Sequence, residues 1–381
     1  MKAVAEHVAG SRTAPAVVCD VAWVNGLAAI RSLGRAGARV IALDHRRGAL
    51  GFKSRYALGL RCPDPATEEE QFVDFLAELG DALERPAPII PTHDEPLNAI
   101  ARGRDRLGER FLYPFPGWET LAPMQKKRSQ VERALELGVP VPATRYPETA
   151  AEARAASDEI GYPILVKPSE PTGFKRRFHG KQAFRCESGA EVEANFELAR
   201  EHEPMVQELI PGDDDELYML GSYLAADGEV LGLFSGRKLL QTPPGIGTCR
   251  IGEAVWVDEV VEQGLGLLRG FGFHGLSQVE FKRDPRDGVF KLMEVNARLW
   301  QWHGLAIACG VDLPRMAYWD LLGERLPAAR SNGSSKRWAI TFFGGTRPVL
   351  LRPPYVDAVF ARDDPLPALA QAARALRRGF R

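Results

Sequence analysis

Gln278-Val279-Glu280-Phe281-Lys282 and Met293-Glu294-Val295-Asn296-Ala297-Arg298, joined through Asp284-Pro285-Arg286-Asp287-Gly288, decide how this chain is read. Proline and glycine inside a charged pentapeptide mark a reversal, and the alternating apolar residues on either side mark strands. The stretch therefore predicts a β-hairpin, Gly275 to Lys282 and Val289 to Val295. Residues two apart on a strand share a face. Glu294 and Asn296 are thus expected on one face, Met293 and Val295 on the other, and the turn folds Glu280 back beside the first pair. Two carboxylates and an amide oxygen then converge in an apolar setting. Hard oxygen donors of this kind suit Mg²⁺, which fills its remaining positions with water and phosphate oxygens. A solvated strand face would also alternate in polarity; Glu280 at the matching hairpin position favours the metal.

Upstream, Ala16-Val17-Val18-Cys19, a helical stretch from about Leu27 to Arg35, and Arg39-Val40-Ile41-Ala42-Leu43 read as strand, helix, strand, the unit of an open parallel sheet. With a helix over Glu68–Leu83 and a strand at Pro88–Pro91, residues 14–118 form an expected Rossmann-like α/β domain. Its first turn, Asp20 to Gly26, lacks GxGxxG, which argues against a dinucleotide-dependent oxidoreductase. Pro114, Pro116 and Gly117 mark a boundary. Residues 1–13 read as a loose tail and 331–381 as a C-terminal extension. In its terminal helix Leu366, Leu369, Ala373 and Leu376 fall on one face, expected to dock on the body, with Arg374, Arg377 and Arg378 near the end.

Composition sets limits. The chain has 381 residues, with 49 Lys+Arg against 50 Asp+Glu. That balance makes no case for nucleic acid or a membrane surface as partner. The five cysteines are scattered without a CxxC, as reduced thiols would be. No apolar segment approaches the roughly 18 residues of a membrane span, and Met1 to Arg12 lacks the apolar core of a signal peptide. A cytoplasmic location is expected.

Cations stand at element ends. Lys167 closes an otherwise apolar strand, Pro163 to Pro168, where an ammonium group is costly unless it meets an anion. Lys127 opens the helix that Gly138-Val139-Pro140 stops. Between Ser169 and Lys181 lies a loop with Gly173, Gly180, Lys175, Arg176 and Arg177, suited to closing over phosphates. Gln207-Glu208-Leu209-Ile210-Pro211-Gly212 reads as a strand running into a turn. His179, His274 and His303 lack metal-ligand spacing.

The order of these pieces resembles the ATP-grasp superfamily. The likeness is greatest to a branch of ATP-dependent carboxylate–amine ligases with a Gly-Phe-x-Ser-Arg-Tyr element, here Gly51-Phe52-Lys53-Ser54-Arg55-Tyr56. It covers about residues 16–320, and Asp363-Asp364-Pro365-Leu366-Pro367 is similar as well. The resemblance implies an N-terminal Rossmann-like open-sheet domain followed by a two-part ATP-grasp domain: 119–205 as the small, lid-bearing part and 206–330 as the large part with the metal site. It implies Lys127 and Lys167 as ATP-phosphate lysines and Glu208, Leu209 and Ile210 as the adenine hinge, with Glu216 as the ribose carboxylate. Glu280, Glu294 and Asn296 would hold Mg²⁺, with Mn²⁺ as the alternative ion. Lys238 would stand near the γ-phosphate and Arg298 would face the transferred phosphate. The implied activity couples a small-molecule carboxylate to an amine through an acyl phosphate; a kinase that stops at phosphorylation is the alternative. Oligomeric state is not legible, and the resemblance allows a homodimer.

Overall fold

The computed structural model describes residues 1–169, 171–245, 247–331, 333–341 and 355–379, with backbone alone at 171–172 and 377–379. Strands β1 (Ala16–Cys19), β2 (Val40–Asp44), β3 (Ala57–Arg61), β4 (Ala87–Pro91) and β5 (Phe111–Leu112) form a parallel sheet in the order β3-β2-β1-β4-β5. β1, β2 and β4 are buried throughout, as a parallel sheet covered on both faces requires. Alternate residues supply two cores: Val17, Cys19, Ile41 and Leu43 face one, Val18, Val40 and Ala42 the other.

A second sheet is antiparallel throughout, and its order, β6-β9-β7-β8, has one exception to chain order: β6 (Thr144–Arg145), β7 (Ile164–Pro168), β8 (Phe184–Cys186) and β9 (Pro204–Glu208) all pair antiparallel to their neighbours.

 The exception is β9, which stands between β6 and β7 and so out of chain order. This sheet has its own core, in which Ile164, Val166 and Val206 pack against Phe174, Phe196 and Ala153.

The third sheet is the largest: β10 (Leu217–Leu224), β11 (Val230–Thr242), β12 (Thr248–Ala254), β13 (Gly275–Arg283), β14 (Phe290–Asn296), β15 (Ala329–Arg330), β16 (Arg337–Ala339) and β17 (Tyr355–Asp357), in the order β14-β13-β10-β11-β12-β16-β17 with β15 beside β11. Both cores of the parallel sheet run on into it. Leu220 and Val279 belong to the first, Met219, Phe234 and Trp300 to the second. The first and third sheets are therefore packed as one body, and the β6–β9 layer stands apart on its own core.

Four expectations change. Residues 1–13 are not a loose tail: Lys2–Val8 is a helix, with Val4 and Val8 buried in the first core. The boundary expected near residue 119 falls later, because the helix Lys127–Glu136 packs on β14. Gln130 fixes it there, donating to Val295 O at 2.9 Å and accepting from Val295 N at 3.0 Å. Nor is 331–381 a separate extension, since β16 and β17 continue the large sheet. Its terminal helix, Leu366–Gly379, does dock, but by another face than expected: Leu366, Leu369 and Leu376 are 55, 61 and 64 % exposed, and Pro367 and Ala368 are buried instead. The Arg377 and Arg378 side chains lie outside the described residues.

The Gly51–Tyr56 element explains that docking. Asp364, fully buried, accepts from Arg31 Nε at 2.9 Å, Ser54 Oγ at 2.8 Å and Arg55 N at 2.9 Å. Asp363 accepts from Arg35 and from the Tyr56 hydroxyl. Asp364→Ala leaves the buried Arg31 guanidinium without its carboxylate, so a loss of about 3–5 kcal/mol is expected in chemical denaturation. A loss under about 1 kcal/mol would show the pair to be incidental.

Candidate active site

β13 and β14 carry out what their alternation promised. Glu280 lies directly opposite Glu294 and Gln278 opposite Asn296, so all four share one face. One detail differs. The register shifts between Glu280 and Phe281, with Met293 as the unpaired residue of β14. This bulge puts Met293 on the cleft wall, where strict alternation would have turned it away. Among the described residues no group of three or more His, Cys, Asp and Glu is assembled as a metal site; the hairpin offers two carboxylates and an amide.

The hairpin face forms the floor of a cleft of about 1170 Å³ between the β6–β9 layer and the main body. Cations reach its acids from distant segments. Lys127 Nζ donates to Glu294 Oε1 at 3.2 Å, from the helix that Gln130 holds against β14. Lys238, buried on β11, donates to Glu280 Oε2 at 3.0 Å. Burial alone would raise the Glu294 carboxyl above its ordinary range. Lys127, Lys175, Arg298 and Lys167 outweigh it and hold Glu294 well below that range, as a carboxylate. For Lys238 burial pulls downward, yet Glu280 leaves the ammonium more basic than usual.

Lys167 is the contrasting case. It lies buried at the end of β7, donating to Gln207 Oε1 at 2.9 Å. Burial and then the neighbouring Lys127 lower its value to about 7, against a smaller opposing pull from Glu294. Lys167 thus lines the cleft with its ammonium held by an amide oxygen rather than by a carboxylate.

Other expected residues are placed as follows. Leu209 and Ile210 line the cleft, as does Glu208, whose carboxylate accepts from Ala143 N at 3.1 Å and pairs with Arg286 and Lys291. Arg298 lines the cleft too. Its guanidinium grips Asp94 at 2.7 and 3.0 Å and touches Asn296 Oδ1 at 3.1 Å, so it ties the parallel-sheet domain to the hairpin. Glu216 is not among the lining residues: Leu217 faces the cleft, and Glu216 is held by Arg283 at 2.7 and 2.9 Å. The carboxylate expected to meet ribose is therefore engaged by Arg283. The expected loop Ser169–Lys181 contains a helix, Pro171–Arg177, anchored by Phe174 against Phe178 and Phe184. Its Lys175 reaches the cleft. Trp300 and Trp302 are fully buried core residues around Phe234 whose edges also line the cleft. His303, with one nitrogen 2.9 Å from Asn25 O, is an ordinary core histidine, pushed down to about 4 by burial.

Sequence reasoning missed Lys282 and Glu95. Lys282 is buried, lines the cleft and donates to Ile210 O and Gly212 O at 2.9 Å, pinning the turn after β9. Its place two residues past Glu280 was the available signal. Glu95 lines the cleft from the helix Asp94–Arg102 and has no ion-pair partner among the described residues; no local pattern announced it.

No protein-family model matches the chain. A D-aspartate ligase of Enterococcus faecium is 25 % identical over 243 residues, 61 % of this chain and 58 % of that protein. A carbamoyl phosphate synthase large chain of Rubrobacter xylanophilus is 30 % identical over 271 residues, 66 % of this chain and 24 % of the other. The chain thus spans little more than half of the first relative and about a quarter of the second. Among solved structures, the biotin carboxylase domain dimer of Hydrogenobacter thermophilus 2-oxoglutarate carboxylase, in complex with MgADP, ADP and bicarbonate, has a TM-score of 0.65 at 17 % identity, covering 84 % of this chain and 72 % of that one. Among the described residues no helix is long and apolar enough to cross a membrane. The ordered lysines, the acidic hairpin and the sheet layout agree with these similarities: the chain is similar in sequence to the D-aspartate ligase and the carbamoyl phosphate synthase large chain, and it shares its fold with the biotin carboxylase domain.

Proposed function

We propose that this protein is an ATP-dependent carboxylate–amine ligase that forms an acyl phosphate and couples it to an amine, releasing ADP and phosphate. The observation that carries the reading is the opposition of Glu280 and Glu294 on one strand face, each answered by a lysine from another segment. Phosphoryl transfer asks a protein mainly for positioning and charge compensation. Here Lys127, Lys167, Lys175 and Lys238 line the cleft that holds Glu294 and Glu280. They would offset the repulsion between a triphosphate and an incoming carboxylate. Leu209 and Ile210 would take the adenine.

The donor set fits Mg²⁺: Glu280, Glu294 and Asn296 offer hard oxygens on one face, and Glu294 is kept ionised by its surroundings. Bound there, the ion would neutralise charge on the phosphate oxygens. Lys127 and Lys238, which answer the two acids in the structure, would then turn to phosphate. The substrate carboxylate attacks the γ-phosphate; the amine then displaces phosphate from the acyl carbon. Burial of the reacting centre between the β6–β9 layer and the main body limits hydrolysis of the acyl phosphate. A cytoplasmic, small-molecule role accords with the balanced charge of the chain.

The test uses hydroxylamine as a general amine with MgATP and a panel of acids that includes D-aspartate. Hydroxamate formed in step with ADP is expected. ADP with a stable phosphorylated product and no hydroxamate would make the protein a kinase instead.

Lys167 adds a pH signature. Phosphate oxygens beside it would raise its value from about 7, so nucleotide binding should take up a proton. Affinity should then fall above pH 7, by up to about tenfold per pH unit. Calorimetry in buffers of different ionisation heat measures this; no proton uptake at pH 8 would remove Lys167 from the phosphate site.

A further inference from the structure

The Asp363–Asp364 contacts with Gly51–Tyr56 do more than hold the chain end. They lay the helix Leu366–Gly379 against the turn Leu50–Lys53. From there Ala370, Gln371, Arg374 and Ala375 line the same cleft as the acidic hairpin. The face turned inward is small and polar, and the leucines point to solvent. That choice makes little sense for a helix that merely buries apolar area, and it suits one that walls a binding site.

The chemistry of this wall is specific. Arg374 donates to Gly48 O at 2.7 Å and meets no carboxylate among the described residues. A side chain at position 48 would begin only 2.4 Å from that guanidinium, so glycine there lets it lie against the main chain. Lys53, inside the Gly51–Tyr56 element and also on the cleft wall, has no ion-pair partner among the described residues either. Arg46, by contrast, is already committed to Asp20 and Asp44. Gln371 leaves its side-chain oxygen buried without a hydrogen-bond partner, and Gln301, on the same cleft, does likewise. Two cations that meet no carboxylate among the described residues therefore border one cleft.

We propose that the C-terminal helix is the specificity wall for the acid substrate, with Arg374 and Lys53 binding an anionic group of that acid other than the carboxylate to be activated. The substrate class is then an acid with a second negative group, a carboxylate or a phosphate. Asp363 and Asp364 act as positioning residues, fixing where the guanidinium stands. The word substrate rests on the ligase reading; the anion site does not.

The test is calorimetric titration of the full chain, saturated with Mg²⁺ and a non-hydrolysable ATP analogue, with malonate and separately with inorganic phosphate. Acetate is the single-charge control. Malonate or phosphate should bind more tightly than acetate, and Arg374→Ala and Lys53→Ala should each weaken that binding about tenfold. Affinity for the analogue and the thermal unfolding midpoint should stay as in the wild type. The tighter of the two anions identifies the second group. Binding of neither anion, or equal binding by both variants, overturns the proposal. If the analogue itself does not bind, the ligase reading falls, and the same titrations without nucleotide still decide on Arg374 and Lys53.

Discussion

Glu294→Ala should lower ADP formation by about three orders of magnitude, and Glu294→Gln by nearly as much. Glu294 is the acid around which Lys127, Lys175, Arg298 and Lys167 are arranged, and those cations keep it charged despite its burial. Removing it takes away a hard oxygen donor and leaves Lys127 without the carboxylate 3.2 Å from it. The glutamine keeps the shape and loses the charge, so it separates the two effects. Steady-state ADP release with an active acid is the measurement. Turnover within about tenfold of wild type in both variants would place the chemistry elsewhere in the cleft. Folding should change less than turnover, because the hairpin is held by its strand pairing and by the Gln130–Val295 contacts.

Lys167→Met should work in two directions. Turnover should fall about a hundredfold with loss of a phosphate contact in a shielded site. Stability should rise at neutral pH. The sign follows from the lowered value of about 7 against the ordinary 10.5. Below pH 7 the lysine is charged in both folded and unfolded chains, and the folded chain bears the full cost of the buried charge. Between about 7 and 10.5 the unfolded chain holds more protons than the folded one, so stability climbs with pH and the penalty fades. Methionine removes the penalty at every pH. Its advantage, on the order of 2 kcal/mol after allowing for the Gln207 oxygen left unpaired, should be greatest at pH 6 and shrink toward pH 10. Urea denaturation at both values measures it. A variant less stable than wild type at pH 6 would show that the Gln207 hydrogen bond matters more than the buried charge.

Such opposed effects are expected where a functional residue is held against its own folding preference. The same logic distinguishes Arg298. It was expected to face the transferred phosphate, and the structure gives it a bidentate grip on Asp94. It therefore couples the parallel-sheet domain to the hairpin, whatever it does for phosphate.

The sequence by itself determined much of what depends on short periods. Alternation put Glu280, Glu294 and Asn296 on one face, apolar runs identified β1, β2 and β7, and Gly138, with φ +71°, ended the helix that Lys127 begins. The order of motifs carried the resemblance to the superfamily. Tertiary structure alone decided what meets those residues. Lys127 and Glu294 are 167 positions apart, Lys238 and Glu280 are 42, and Arg298 and Asp94 are 204. No local pattern encodes such pairings; they arise when separate faces are buried against one another. Packing also reversed the terminal helix, because the two aspartates before it bind Gly51–Tyr56 and so fix which of its faces turns inward. It brought Met293 onto the cleft, since a one-residue bulge is decided by the partner strand, and it gave Glu216, in the turn before β10, to Arg283 of β13.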